Sequence, residues 1–184
     1  MVYLLLANGF EEIEALTPVD ILRRGGVDIT TLSIHDTPQV TGAHGIVCKA
    51  DGTLSAFLKE TKMQMPIEML ILPGGMPGAK HLDESTDVDT MISVAKKQNA
   101  YLAAICAAPM VYGHRGLLAG KKATCYPSFE PMLLSANICD DAVVQDGRII
   151  TANAMGAALQ FSLKLLQALR GDQCAEKVKA SILA

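Results

Sequence analysis

The sequence predicts an α/β fold built on a mostly parallel sheet with helices on both faces. The apolar runs "VYLLLA" (2–7), "EMLIL" (68–72) and "YLAAI" (101–105) do not alternate with polar residues. Strands buried on both faces, as in a parallel sheet covered by helices, read this way. Longer segments with helical spacing lie between them, so strand and helix alternate along the chain. "QDGR" then sets an Asp-Gly turn signal between "AVVQ" (142–145) and "RIITA" (148–152), which predicts an antiparallel edge.

In chain order, the first helix is expected over 11–24, "EEIEALTPVDILRR", with Gly25 and Gly26 as its stop. Pro18 interrupts that pattern and marks either a start or a kink. "VDITTLSI" (27–34) and residues around 46–49 read as strands, as do residues around 122–126. Helices are expected over 86–98 and 107–118. The most regular helical pattern is 154–170, with Ala158, Phe161, Leu165 and Leu169 on one stripe and Gly171 at its end. A last helix follows with Asp172 as N-cap. No repeat, linker or low-complexity tract appears, and 184 residues suit one domain spanning 1–184.

Half the residues are apolar and 19% are charged, a balance that excludes disorder. With four Phe, four Tyr and no Trp, the core must be mainly aliphatic. A net charge of −3 and a pI near 5.8 argue against a nucleic-acid or anionic-membrane partner. No apolar run approaches the roughly 18 residues of a membrane span, and "MVYLLLANGFEE" has no basic n-region. A cytoplasmic protein is expected. The five cysteines (48, 106, 125, 139, 174) are odd in number and contain no C-x-x-C pair. They predict free thiols, with neither a disulfide framework nor a zinc site.

In a sheet of this kind ligands bind beyond the carboxyl ends of the strands. Three stretches fall there: "NGFEEIE", "LPGGMPGA" and "CAAP". None forms a nucleotide-binding glycine motif, so no cofactor is expected. Cys106 ends a strand and starts a helix with no room for a loop, as in a nucleophile elbow. "A-I-C-A-A" has small residues at both positions where that turn is crowded. A packed core cysteine is the competing reading. Gly74 and Gly75, after Pro73, either turn backbone N–H groups toward an oxyanion or simply make a tight turn. Glu11, Glu12 and Glu14 open the first helix, where acidic residues most often complement the dipole on a solvated face. The histidines (35, 44, 81, 114) have no ligand spacing and read as surface residues.

These features together resemble the ThiJ/PfpI superfamily, in its parkinsonism-associated protein deglycase branch. The resemblance rests on "GFEEIEALTPVDILRRGG", "LILPGGMPGAKHL", "AAICAAP" and "KVKASIL", and it spans nearly the whole chain. It implies a flavodoxin-like three-layer sandwich and a homodimer that uses the first helix. It further implies Cys106 at the elbow, Glu14 reaching it, and backbone donors at Gly75 and Ala107, with Gly74 and Tyr126 lining the site. Many members of this branch carry a histidine where this chain has Tyr126, and a phenol with a pKa of about 10 is a poor base at neutral pH. Peptidase members place a histidine directly after the cysteine, where this chain has Ala107, which weakens a hydrolase reading. A role in thiazole biosynthesis, a label the family often carries, has no residue-level support.

Elementary electrostatics constrains the implied pair. A helix N-terminus stabilises an anion by up to about 2 kcal/mol. A carboxylate about 4 Å away opposes it by around 4 kcal/mol at an effective dielectric near 20. Thiolate and ionised Glu14 should therefore not coexist. The expectation is a protonated Glu14 donating to a Cys106 thiolate, which lowers the cysteine's pKa and raises the glutamate's. Such a thiolate suits addition to a reactive carbonyl such as methylglyoxal or to a glycated substrate. It equally suits oxidation to sulfenic and sulfinic acid in a redox-responsive stress protein or chaperone.

Overall fold

A computed structural model describes residues 1–61 and 64–184. The chain runs β1 (Val2–Leu6), α1 (Glu12–Arg24), β2 (Ile29–Ser33), β3 (Gln39–Thr41), β4 (Val47–Lys49), β5 (Gly52–Thr53) and α2 (Leu54–Thr61). It continues through β6 (Met69–Leu72), α3 (Gly78–Asp83), α4 (Thr86–Lys97), β7 (Tyr101–Ile105), α5 (Pro109–His114), β8 (Lys122–Ala123) and β9 (Asn137–Ile138). The hairpin β10 (Val143–Asp146) and β11 (Ile149–Ala152) precedes α6 (Ala158–Arg170) and α7 (Asp172–Ser181). The main sheet has the order β10-β11-β7-β6-β1-β2-β5. Every pairing in it is parallel except β10 with β11.

The unbroken apolar runs have the predicted cause. Tyr3 and Leu5 of β1, Leu70 and Leu72 of β6, and Leu102 and Ala104 of β7 enter one core, shared with α2, α3, α4 and α5. Their neighbours Leu4, Leu6, Met69, Ile71, Ala103 and Ile105 enter a second core, shared with α1, α6 and α7. Successive strand side chains point to opposite faces, so a strand covered twice must be apolar at every position. The three-layer α/β sandwich follows. Among the described residues, no helix is long and apolar enough to cross a membrane.

Several boundaries differ from expectation. α1 runs through Pro18. α5 is shorter than 107–118, because Ala108 and Met110 first make tight-turn bonds to the carbonyls of Ile105 and Ala107 (3.1 and 3.2 Å), and Gly116 at φ 66° ends the turn behind it. Asp172 does not cap α7. It is the helix's first residue, and its carboxylate accepts from Gln167 Nε2 at 2.6 Å. In the edge hairpin Asp146 pairs with Ile149, so Gly147 is the first of two loop residues, at φ 60°, where a II′ turn places glycine. The strand around 122–126 is the two-residue β8.

Candidate active site

Strands β7, β6 and β1 are adjacent in the sheet. The three segments singled out in the sequence leave the carboxyl ends of these neighbours: Cys106 after β7, Gly74-Gly75 after β6, and Asn8 to Glu14 after β1. The chain builds outward from β1 to β2 and then returns to the other side of β1 with β6. Their shared edge is therefore the topological switch point, where such sheets open a crevice.

Cys106 has φ 65°, left-handed for a side chain that ordinarily avoids it. Three hydrogen bonds hold the turn. Cys106 N–H donates to Ala152 O (2.9 Å), Tyr126 N–H donates to Cys106 O (2.8 Å), and Ala108 N–H donates to Ile105 O (3.1 Å). Cys106 is partly exposed, and the groups that act on its thiol are the Glu14 carboxyl and the N–H groups of Gly75 and Ala107. This partial exposure weighs against a sealed core cysteine.

The Gly-Gly pair is required by space. A Cβ on Gly74 would lie 2.6 Å from Glu14 Oε2 and 2.7 Å from Cys106 Cβ. On Gly75, at φ 85°, it would lie 2.3 Å from the backbone nitrogen of Glu11. Left-handed strain and overpacking against main chain together imply that Gly75→Ala destabilises the fold by about 2–4 kcal/mol. Urea unfolding measures this, and an unchanged midpoint would contradict the packing described.

Glu14 is 1% exposed, although it lies in the first turn of α1 where a solvated carboxylate was the commoner expectation. Its Oε2 accepts from Gly74 N–H at 2.9 Å. Burial raises its pKa, the bond to Cys106 opposes this, the charge of Glu11 adds to the rise, and Gly74 N–H opposes it. The result is about 7. Burial, then the Glu14 carboxylate, push the Cys106 thiol up to about 12 against the pull of the Gly75 and Ala107 N–H groups. The expected rise at Glu14 is present, whereas the expected fall at Cys106 is not: desolvation of sulfur outweighs its donors. The two groups titrate as a unit, releasing one proton near 7 and holding the second to about 12.

Other expected residues stand further out. Tyr126 reaches the site through its backbone, while its ring is half-exposed and edge-on to Phe129 at 6.4 Å. Glu12 is buried beside exposed His44, whose N–H and Nδ1 lie 2.8 and 2.7 Å from its two oxygens. Burial would raise the Glu12 carboxyl, but these two bonds hold it below its ordinary value. His35 Nε2 accepts from Asn8 N–H (2.9 Å), and His81 Nδ1 bonds Asn8 O (3.0 Å). His35 and Asn8 lie in separate loops and His81 in α3, so no spacing could have announced them. Among the described residues, Glu11, Glu12 and His44 place ligand-type atoms within 4.8 Å of one another. Glu11 and Glu12 are already engaged, by Glu14 N–H and by His44.

The sequence pattern of the DJ-1/PfpI family matches residues 1–168. The chain belongs to the DJ-1/PfpI family. It is 36% identical over 180 residues to Protein DJ-1 homolog B of Arabidopsis thaliana, covering 97% of this chain and 40% of that protein. The chain thus spans less than half the length of that relative. A Caenorhabditis elegans protein named glutathione-independent glyoxalase DJR-1.2 is 30% identical over 165 residues, covering 89% of this chain and 84% of its own length. Among solved structures, oxidized Toxoplasma gondii DJ-1 superimposes with a TM-score of 0.92 at 34% identity, covering 99% of this chain and 97% of that one.

Proposed function

We propose that this family member is a cofactor-free, cysteine-dependent enzyme that converts reactive α-oxoaldehydes to hydroxy acids. The observation that carries the reading is a partly exposed elbow cysteine beside a buried carboxyl whose pKa is raised to about 7. The glyoxalase activity in the name of the nematode relative supports it. Residues 106, 14, 75 and 107 carry the reaction: Cys106 as nucleophile, Glu14 as proton carrier, Gly75 and Ala107 as N–H donors. When the pair holds one proton, moving it from sulfur to Glu14 creates the thiolate without loss of a proton to solvent.

The thiolate adds to the aldehyde carbon of methylglyoxal, and the new alkoxide takes the proton from Glu14, giving a hemithioacetal. Glu14, now a carboxylate, removes the C1 proton to form an enediolate; the O1 hydroxyl proton passes to O2, and Glu14 returns its proton at C2, leaving a lactoyl thioester. Water hydrolyses the thioester, releasing lactate and the thiol. The balance is methylglyoxal plus water to lactate, with no external oxidant or reductant. A reducing, cytoplasmic setting suits the five free thiols. Exposed Ile13 and Leu16 on α1, with Ile46 and Val47 at the β3–β4 hairpin, suit a homodimer through that helix.

A second reading is favoured by the description of the Toxoplasma relative as oxidized: Cys106 as an oxidant sensor in a stress protein or chaperone. Lactate production from methylglyoxal decides between them. Turnover by the wild-type protein supports the enzyme. Absence of turnover, with selective gain of two oxygens on Cys106 under mild peroxide, supports the sensor. The proton-sharing step makes its own prediction. Iodoacetamide alkylation of Cys106 should rise with a midpoint near pH 7 in wild type, and the midpoint should move up in Glu14→Gln, which cannot take the proton. A wild-type midpoint at the ordinary thiol value would end that step.

A further inference from the structure

Three hydrogen bonds close a ring beneath the reacting pair. Glu11 N–H donates to Gly74 O (2.9 Å), Gly74 N–H donates to Glu14 Oε2 (2.9 Å), and Glu14 N–H donates to Glu11 Oε2 (2.7 Å). Glu11 thus takes part twice. Its side chain caps α1 and so fixes where the helix begins, and its main chain fixes the glycine that grips Glu14. Ring closure depends on the close approach that glycine permits, since the backbone nitrogen of Glu11 occupies the space a Cβ on Gly75 would need.

From this closed ring we infer that Glu11 is a positioning residue for the candidate reaction: it orients the Glu14 carboxyl toward Cys106 and, through its own charge, sets the pH at which the pair gives up its first proton. The inference rests on reading Cys106 and Glu14 as the reacting pair. One bond of the ring uses Glu14 Oε2, which ties the buried carboxyl to the loop after β6 and restrains its orientation. The charged and titratable groups around Glu14 are few. Cys106 faces it from the end of β7, Glu11 from the start of its own helix, and the dipolar N–H of Gly74 from the loop after β6. Around the Glu11 carboxylate stand Glu12 and His44. Glu11 adds to the rise of Glu14, in the direction its negative charge requires. A capping serine or asparagine would fix the helix start equally well, so the choice of an anion at this cap has a consequence the cap alone does not need.

The test needs no substrate. Iodoacetamide alkylation of Cys106, followed by mass spectrometry between pH 5 and 9, compares wild type with Glu11→Gln, Glu11→Asp and Glu11→Ala. Glutamine keeps an oxygen for the Glu14 N–H and removes the charge. Its midpoint should fall by about half to one pH unit, with the high-pH rate within about twofold of wild type. Aspartate keeps charge and cap, and its shift should be less than half that of glutamine. Alanine loses both, so its midpoint falls and its high-pH rate drops several-fold as the Glu14 carboxyl loses its fixed orientation. Should Glu11→Gln fail to fold by circular dichroism, Glu11→Ser carries the same expected direction. A glutamine or serine midpoint equal to or above wild type overturns the charge role, and an alanine high-pH rate equal to wild type overturns the orienting role. Absence of lactate formation in the wild-type protein would instead count against the proposed function, and it leaves the midpoints readable.

Discussion

Cys106→Ser should abolish conversion of methylglyoxal to lactate, by at least about a thousand-fold, while the protein remains folded. The hydroxyl is close in volume to the thiol and enters the same left-handed turn, held by the unchanged backbone bonds to Ala152 and from Tyr126, with the Ala108 N–H still on Ile105 O. What it lacks is acidity. Glu14, raised to about 7, draws a proton more readily from a thiol, even one pushed up to about 12 and helped by the Gly75 and Ala107 N–H groups, than from an aliphatic alcohol. The added barrier of a thousand-fold loss is about 4 kcal/mol. Lactate formation in the serine variant above a tenth of the wild-type rate would remove Cys106 as nucleophile. Peptide hydrolysis that survives the substitution would point to neither reading of the sulfur.

Much of this architecture was legible because burial on both faces leaves a plain mark. "YLAAI" became β7 with the bounds expected, and Cys106 follows it at the elbow. The short elements were not legible. β5 has two residues and α3 six, and elements of that length carry too little periodicity to separate from loop. At the candidate site, Cys106, Gly74 and Gly75 stood out through position and residue type, each with a plain structural reading beside it. Glu14 did not: three glutamates open α1 and look alike in sequence. Only the fold determines that Glu12 turns to His44, that Glu11 caps the helix, and that Glu14 points under the sheet edge. The direction of the Cys106 shift was misread for a related reason. Dipole and hydrogen-bond contributions can be anticipated from a motif, but the desolvation of one sulfur depends on how many atoms pack around it, and the groups beside Cys106 come from segments distant in sequence, among them Glu14 and Gly74.

The same desolvation makes Glu14 a liability to the fold, and its size can be measured. Because the folded-state value of about 7 lies above the ordinary 4.5, the native state binds a proton that the unfolded chain has already released. Stability linked to Glu14 is therefore full below pH 4.5 and is lost as pH rises through 7. Between pH 5 and pH 8 the loss is about 2–3 kcal/mol. Glu14→Gln has no proton to lose and keeps a carbonyl oxygen for Gly74 N–H, so its unfolding free energy should lack that decline. Relative to wild type it should gain about 2–3 kcal/mol over this interval, or roughly 5–10 °C in Tm for a chain of this length. The comparison is between two pH values within each protein, so any constant cost of replacing the carboxyl cancels. Equal pH dependence in the two proteins would mean that Glu14 stays ionised in the fold, and the proton-sharing pair would have to be abandoned. A steeper loss in wild type would show that burial at the sheet edge holds Glu14 protonated to near neutrality, the state from which it can share a proton with Cys106.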